Sequence, residues 1–429
     1  MTGAMYAAVS GLKAHMSALN VIGQNISNVN TNAYKATRYT FLEALYTTVR
    51  GGSNGSTQVG GRNPAQNGYG ASIGTIDLDM STKNYTPTGR AMDVMIDGDG
   101  FFIVGDKTSY FGSEGGKELK DMYLSRLGNF DIDSQGYLVD GQGQVIYGYL
   151  SVANPVYTKM MTPGGQGSLL NADGKLVDAE RLWDPKKDPA AIAGLVATSP
   201  YFMDGDGQLL KVTNIGTADK PKFEVAVVDE FTPAPVLTPI RLPKQDDNGK
   251  AIYPTWDQDK DSLTYGQIID GAGAKTIGRD SISIDENTGR ITCTTAKGQA
   301  IVVGAIAIAK VENPNGVTHV DGHYYQALDG AGDIRLTSIG HSVKNSNDPE
   351  SPFYVPPQNA GDPVEQMEGE IPIESSGGTK CISGGLESSG TDLASEISNM
   401  IMIQRGYQAN TRIVTVTDSM LEELVNMKR

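Results

Sequence analysis

Residues 5–26 read MYAAVSGLKAHMSALNVIGQNI, and the apolar side chains Met5, Val9, Leu12, Met16, Leu19, Ile22 and Ile26 recur in steps of three and four. That spacing predicts a helix with one apolar stripe, of the kind that a coiled coil buries. Near the other end Leu393, Ile397, Met400, Ile401, Tyr407, Val414, Leu421, Leu424 and Val425 repeat the pattern, with 393, 400, 407, 414 and 421 on one heptad position. Thr391 or Asp392 is placed to cap this second helix, and Lys428 and Arg429 suit the negative end of its dipole. At about 1.5 Å per residue the two helices span roughly 40 and 55 Å. Each is too narrow to bury its own stripe, so the stripes are expected to pair with each other and with neighbouring copies, and to order fully only on assembly.

Between the helices the pattern is that of strands. Ile76, Leu78 and Met80 alternate with Asp77 and Asp79; the Asp97-Gly-Asp-Gly100 turn leads into Phe101-Phe-Ile-Val104; and Ile282 and Ile284 precede a turn at Asn287 to Gly289 and then Ile291 and Cys293. Residues 152–280 are less regular, hold both tryptophans (Trp183 and Trp256) and carry turn signals at Asp204-Gly-Asp-Gly207 and Asp247-Asn-Gly249. The expected fold is therefore mixed: long terminal α-helices forming a coiled-coil inner core, plus two mainly β domains nested one within the other. The expected map assigns 1–35 and 386–429 to the terminal helices, 36–74 and 342–385 to connecting segments, 75–151 and 281–341 to the first β domain, and 152–280 to an inserted outer one. The Gly-rich run at 51–74 and the Pro, Gly, Ser and acid-rich run at 342–379 are read as linkers that let the helices stand apart.

Composition narrows the partners. The 429 residues carry a formal charge of -15, which disfavours nucleic acid and anionic membrane surfaces. No apolar run approaches the twenty residues of a membrane span. The first thirty residues lack a basic start, an apolar stretch and a small-residue cleavage site, so no cleaved secretory signal is expected. Cys293 and Cys381 lie far apart and make neither a disulfide framework nor a metal cluster; two spare thiols are the simplest reading.

Several motifs invite chemistry. Gly51-Gly-Ser-Asn-Gly55 has the pattern of a nucleophile elbow, but a linker cannot supply the strand and helix which that turn needs. His319 and His323 have zinc-helix spacing, yet Gly322 and Asn313-Pro-Asn-Gly316 favour a loop or hairpin. The two Asp-Gly-Asp-Gly runs lack the distal glutamate of a calcium loop and are read as hairpin turns. His15 and His341 complete a set of four histidines with no base and nucleophile in view. The expectation is no catalytic, cofactor or metal site.

Longer motifs carry a resemblance. Residues 5–12 (MYAAVSGL) followed by 20–35 (NVIGQNISNVNTNAYK), then 88–102 (TGRAMDVMIDGDGFF), 123–130 (YLSRLGNF), 386–393 (LESSGTDL) and 399–410 (NMIMIQRGYQAN) resemble the bacterial flagellar rod and hook protein family, in its order and with sensible spacing. One departure is Ala33, where the family usually has Gly before an aromatic and Lys; a Gly requiring positive φ implies a changed turn here.

The insertion at 152–280 is similar to that of hook rather than rod members, with a distal rod protein as the alternative and, outside the family, a secreted β-rich adhesin or binding module with oligomerising helices. The resemblance implies a structural subunit of the hook, a curved flexible tube that transmits torque. It implies export unfolded through the flagellar type III apparatus without signal cleavage, and an extracellular place at the flagellum. It implies as partners the chain itself in an open helical polymer, a distal rod protein, a hook cap protein and a hook-filament junction protein. The implied polymerisation interface is Met5, Val9, Leu12, Met16, Leu19, Ile22, Ile26, Leu393, Ile397, Met400, Ile401, Tyr407, Val414, Leu421 and Leu424. Spirochaete hook proteins are similar too and join subunits through lysine and cysteine; Lys297 lies four residues from Cys293, but nothing else in the sequence points to that lineage.

Overall fold

The computed structural model describes residues 2–55, 60–107, 121–165, 168–184, 189–205, 208–216, 221–227, 231–234, 237–245, 251–256, 268–269, 275–276, 281–286, 289–294, 300–338, 374–375 and 379–427. Lys297, His341, Asp247 to Gly249, Lys428, Arg429 and most of the connecting segment at 342–385 lie outside the described residues.

Among the described residues four α-helices occur: α1 (Thr2–Ser27), α2 (Pro155–Met161), α3 (Pro189–Thr198) and α4 (Leu393–Met427). The first and last match the periodic stretches. Asp392 caps α4, its carboxylate accepting from the N–H of Ala394 at 3.0 Å and from the hydroxyl of Ser395 at 2.7 Å. Thr391 serves the other helix instead. Its hydroxyl donates to the carbonyl of Asn25 at 3.1 Å and that of Ser389 to the carbonyl of Asn28 at 2.8 Å, tying the segment before α4 to the end of α1.

The chain then turns at Ala33, which adopts φ +58°, and its N–H donates to the Glu387 carbonyl at 2.8 Å. The turn is thus not changed to suit alanine, as the sequence implied; alanine takes up the left-handed conformation itself, and tertiary contacts hold it there. A left-handed alanine costs about 1 to 2 kcal/mol, of which the extra chain entropy of glycine returns a part. Ala33→Gly should therefore raise stability by about 0.5 to 1 kcal/mol, readable as a higher denaturant midpoint at unchanged slope.

The β body is built on five segments: Val94–Asp97, Phe101–Gly105, Tyr123–Ser125, Val145–Ala153 and Ala300–Val311. The last four join a 14-stranded sheet in which Val145–Ala153 lies between Ala300–Val311 and Phe101–Gly105. These central strands are apolar on both faces, and alternation splits them between two cores. Phe102, Val104, Ile146, Ile306 and Ile308 face one; Phe101, Ile103, Tyr147, Tyr149, Ala307 and Ala309 face the other. The Asp97 to Gly100 run is a turn, with φ of +120° at Gly98 and +132° at Gly100, but it does not close a hairpin. Val94–Asp97 pairs instead with Lys380–Ser383, so the segment that precedes α4 is stitched to the body. Ile282–Ile284 and Arg290–Thr294 do form the expected hairpin.

Two stretches differ from the sequence reading. Residues 36–74 are largely strand: Thr37–Glu43 pairs with Ala71–Leu78 and Tyr46–Arg50 with Ala65–Gly68, making an arm whose Tyr39 and Ile73 pack beside α1 and α4. Here β-favouring Thr, Tyr and Val in the flanks outweigh the glycines of the middle. Within 152–280, expected as β, α2 and α3 are helical; α3 (PAAIAGLVAT) starts on proline and is rich in alanine, the strongest helix former. Tyr201–Met203, Leu209–Asn214 and Phe223–Val227 form a three-stranded sheet there, with Phe202 against Trp183. From the same stretch Phe231–Pro233 and Thr238–Pro239 pair with Val145–Ala153, and Ile240 and Leu242 enter the first core.

Candidate assembly interface

α1 and α4 pack antiparallel along a seam of small residues. Asn25 Nδ2 donates to Glu396 Oε1 at 2.8 Å, His15 lies against Gly406, and Gly11 lies against Asn410. Going down α1 from Asn25 to His15 therefore matches going up α4 from Glu396 to Gly406 residue for residue, and the step to Gly11 and Asn410 keeps the register. A methyl group on Gly406 would stand 2.8 Å from the His15 ring, and one on Gly11 2.8 Å from the Asn410 amide, so each glycine makes room for a side chain of the facing helix. Ala8, Gly11, Ala14 and Ala18 form the rest of the buried α1 face, and Ile22 and Ile403 close a small core with Ala18.

The seam takes in only part of the stripe read from the sequence. Of that stripe Ile22 is buried, Leu12, Leu19 and Ile26 are half-buried, and Met5, Val9 and Met16 stay exposed, Met16 by 52 %. On α4, Met400, Tyr407, Val414 and Leu421 are half-buried, Met400 against the Ala18, Ile22 and Ile403 core. Leu393, Ile397, Ile401 and Leu424 are exposed. Sequence reasoning missed Ala8, Gly11, Ala14, Ala18, Gly406 and Asn410, whose spacing by threes and fours was legible but whose small size gave no apolar signal. It also missed Met402, Ile413, Val416 and Met420, which are exposed along another flank of α4. α1 and α4 pack on each other within one chain.

A buried ionic group holds the helix pair to the β body. Lys35 Nζ donates to Glu387 Oε1 at 2.7 Å and to the Ser81 carbonyl at 2.9 Å, and Glu387 Oε1 also accepts the N–H of Lys83 at 2.9 Å. Arg126 Nη1 stands 4.0 Å from Glu387 Oε2, while its Nη2 donates to the Gly98 carbonyl at 2.8 Å. All three side chains are no more than 2 % exposed. Burial, and then the Arg126 charge, pull the Lys35 ammonium down to about 8 against the opposing pull of Glu387. Asn25 completes the junction, its Oδ1 accepting the N–H of Thr37 at 2.9 Å and the hydroxyl of Tyr34 at 3.1 Å.

The motifs that invited chemistry sit in structural settings. Ser53 bridges Arg62 in the arm, away from any strand-to-helix turn. His319 and His323 flank a hairpin turn at Gly322 (φ +55°); His319 lies against Tyr325, whereas His323 Nε2 is 3.5 Å from Asp140. Asp204 starts a loop between two paired strands. No trio of His, Cys, Asp or Glu able to hold a metal occurs among the described residues, and no described helix is long and apolar enough to cross a membrane.

Comparison with known proteins follows the same residues. The model for flagella basal body rod proteins matches 5–35, and that for the C-terminal region of the flagellar basal body rod FlgEFG proteins matches 382–427. The flagellar basal-body rod protein FlgG of Bacillus subtilis is 36% identical over 188 residues, which cover 42% of this chain and 66% of that protein. The flagellar hook protein FlgE of Borreliella burgdorferi is 24% identical over 489 aligned residues covering 100% of both chains, and that of Escherichia coli is 25% identical over 98% of this chain and 99% of its own. With a Borreliella protein among the relatives, lineage no longer argues against a cross-link at Cys293. Burial does: Cys293 is 1% exposed in the first core, and its thiol is pushed up to about 11. Both ends of the molecule, the buried junction between them and the full-length alignments lead to one assignment: the chain belongs to the flagellar rod and hook protein family.

Proposed function

We infer that this chain is a structural subunit of the bacterial flagellar hook, polymerising with copies of itself through α1 and α4. The observation that carries the interface is the ridge of Met5, Val9 and Met16, which remains exposed although α1 has already found its partner in α4. Apolar side chains in line on a helix that is otherwise packed are what a second copy would cover. The hook reading is preferred to the distal rod reading because the rod relative aligns with 42% of the chain and the hook relatives with all or nearly all of it.

On this reading the helix pair forms a coiled-coil inner core, and the β body and its insertion are nested outer domains that slide as the tube bends. The chain leaves the cell through the flagellar type III apparatus without signal cleavage, adds beneath a cap protein, and joins the distal rod to the hook-filament junction proteins. Val9→Asp combined with Met16→Asp tests the interface. Both positions are exposed in the single chain, so its melting should shift by less than about 0.5 kcal/mol equivalent. Assembly should fail, because each copy loses about 1.5 to 3 kcal/mol of burial per apolar side chain and gains desolvated charge. Tubes in electron micrographs of the variant would overturn the interface.

A further inference from the structure

The exposed methionines of the described residues all lie on the terminal helices. Met5 and Met16 are on α1, and Met402, Met420 and Met427 are on α4, from 37 % exposed at Met5 to 77 % at Met427. Every described methionine of the β body and its insertion is buried or half-buried, as is Met400 in the small core between the helices. The arrangement is also linear. Met5 and Met16 stand about three turns apart with Val9 between them, and Met402 and Met420 about five turns apart with Ile413 and Val416 between them, so each pair falls on one side of its helix.

A thioether differs from the other apolar side chains of these faces in that its sulfur reacts with two-electron oxidants. The lone pair of Sδ attacks an oxygen of hydrogen peroxide, the O–O bond breaks, an S–O bond forms and water leaves; the sulfur is oxidised and the peroxide reduced. The product is a polar sulfoxide. On a helix face in water it is solvated and costs the folded chain little. Against the apolar face of a second copy it has no donor to meet, so its burial opposes assembly. Two thiols reverse the step, leaving thioether, disulfide and water.

We propose that Met5, Met16, Met402, Met420 and Met427 are a reversible modification site, at which oxidation to the sulfoxide stops the chain from polymerising and leaves its fold intact. Peroxide reaches these side chains in the free chain before it reaches the methionines packed in the β body. The proposal rests on the hook-subunit reading and adds to it a chemical control over which chains can join.

The first test uses the wild-type chain. Free chains are treated briefly with hydrogen peroxide, quenched with catalase and allowed to polymerise; the tubes are then pelleted and sulfoxide is mapped by mass spectrometry. Sulfoxide at Met16, Met402 and Met420 should be enriched several-fold in the chains left in solution. Chains treated to completion should need a roughly tenfold higher concentration to polymerise. They should melt at the untreated temperature, and should recover on incubation with dithiothreitol and the two methionine sulfoxide reductases, one for each epimer. Equal sulfoxide in both fractions, a treated chain that melts earlier, or a block that the reductases do not lift overturns the proposal. The second test locates the block. In a chain carrying Met5→Leu, Met16→Leu, Met402→Leu, Met420→Leu and Met427→Leu, whose leucines are similar in size and do not oxidise, peroxide should leave that variant's own threshold where it was. A threshold that rises as in the wild type places the block elsewhere and overturns the proposal. Untreated wild-type chains that form no tubes overturn the hook-subunit reading, which is a different result.

Discussion

Glu387→Ala is expected to destabilise the protein by about 3 to 5 kcal/mol, because it leaves two buried cations, Lys35 and Arg126, without their shared carboxylate. The loss should exceed that of Lys35→Met, which removes one charge and leaves Glu387 its contacts with the Lys83 N–H and with Arg126. It has a pH signature as well. The Lys35 pKa is about 8 in the folded chain against 10.5 ordinarily, so between those values the unfolded chain binds a proton that the folded chain does not. This group therefore makes stability rise with pH across that window, and contributes its full penalty below it. Without the carboxylate the folded pKa falls further, and the rise should begin at a lower pH in Glu387→Ala than in the wild type. Denaturant melts between pH 7 and 10 measure both effects; a variant as stable as the wild type, with the same pH profile, would show that the junction is not held by charge.

That junction also marks where sequence reading stops. Periodicity located α1 and α4 to within a few residues, since an apolar side chain at every third or fourth position lines up along one face of a helix and along no face of a strand. It could not tell the face that meets the partner helix from the face that stays open. Hydrophobicity weighs Met16 above Ala18, while the fit of one helix on the other selects the small Ala18, Gly11 and Gly406, the two glycines making room for Asn410 and His15. The arm was hidden for a related reason: glycines in residues 51–74 speak for turns, and the strand at Thr37–Glu43 declares itself only when its partner at Ala71–Leu78 is in place. Lys35, Arg126 and Glu387 are too far apart in the chain for any local pattern to join them. Each nonetheless falls inside a stretch that carried the family resemblance, 20–35, 123–130 and 386–393, so the resemblance pointed to a convergence whose physics only the structure supplies.

Ile22→Asp should abolish tube formation by a route different from that of the exposed ridge. Ile22 is fully buried where α1 meets α4, with Ala18 and Ile403 beside it and Leu19, Ile26, Tyr39, Ile73 and Met400 around them. A carboxylate there has no cation to meet within that apolar cluster, and its burial costs several kcal/mol. The helix pair rests on this small core, whereas the β body has two larger cores of its own. The cost should therefore open the pair locally and leave the sheet standing. Circular dichroism should show helix lost at a lower temperature, with the melt of the β body unmoved, and micrographs should show no tubes. Val9→Asp with Met16→Asp should lose the tubes while keeping the helical signal, so the two variants separate the integrity of the rod from the contact it makes. Met400→Asp should behave like Ile22→Asp, because Met400 packs on the same cluster. An Ile22→Asp chain whose sheet melts earlier would place the helix pair within the main fold, and one that still forms tubes would show that assembly does not need the α1 and α4 seam.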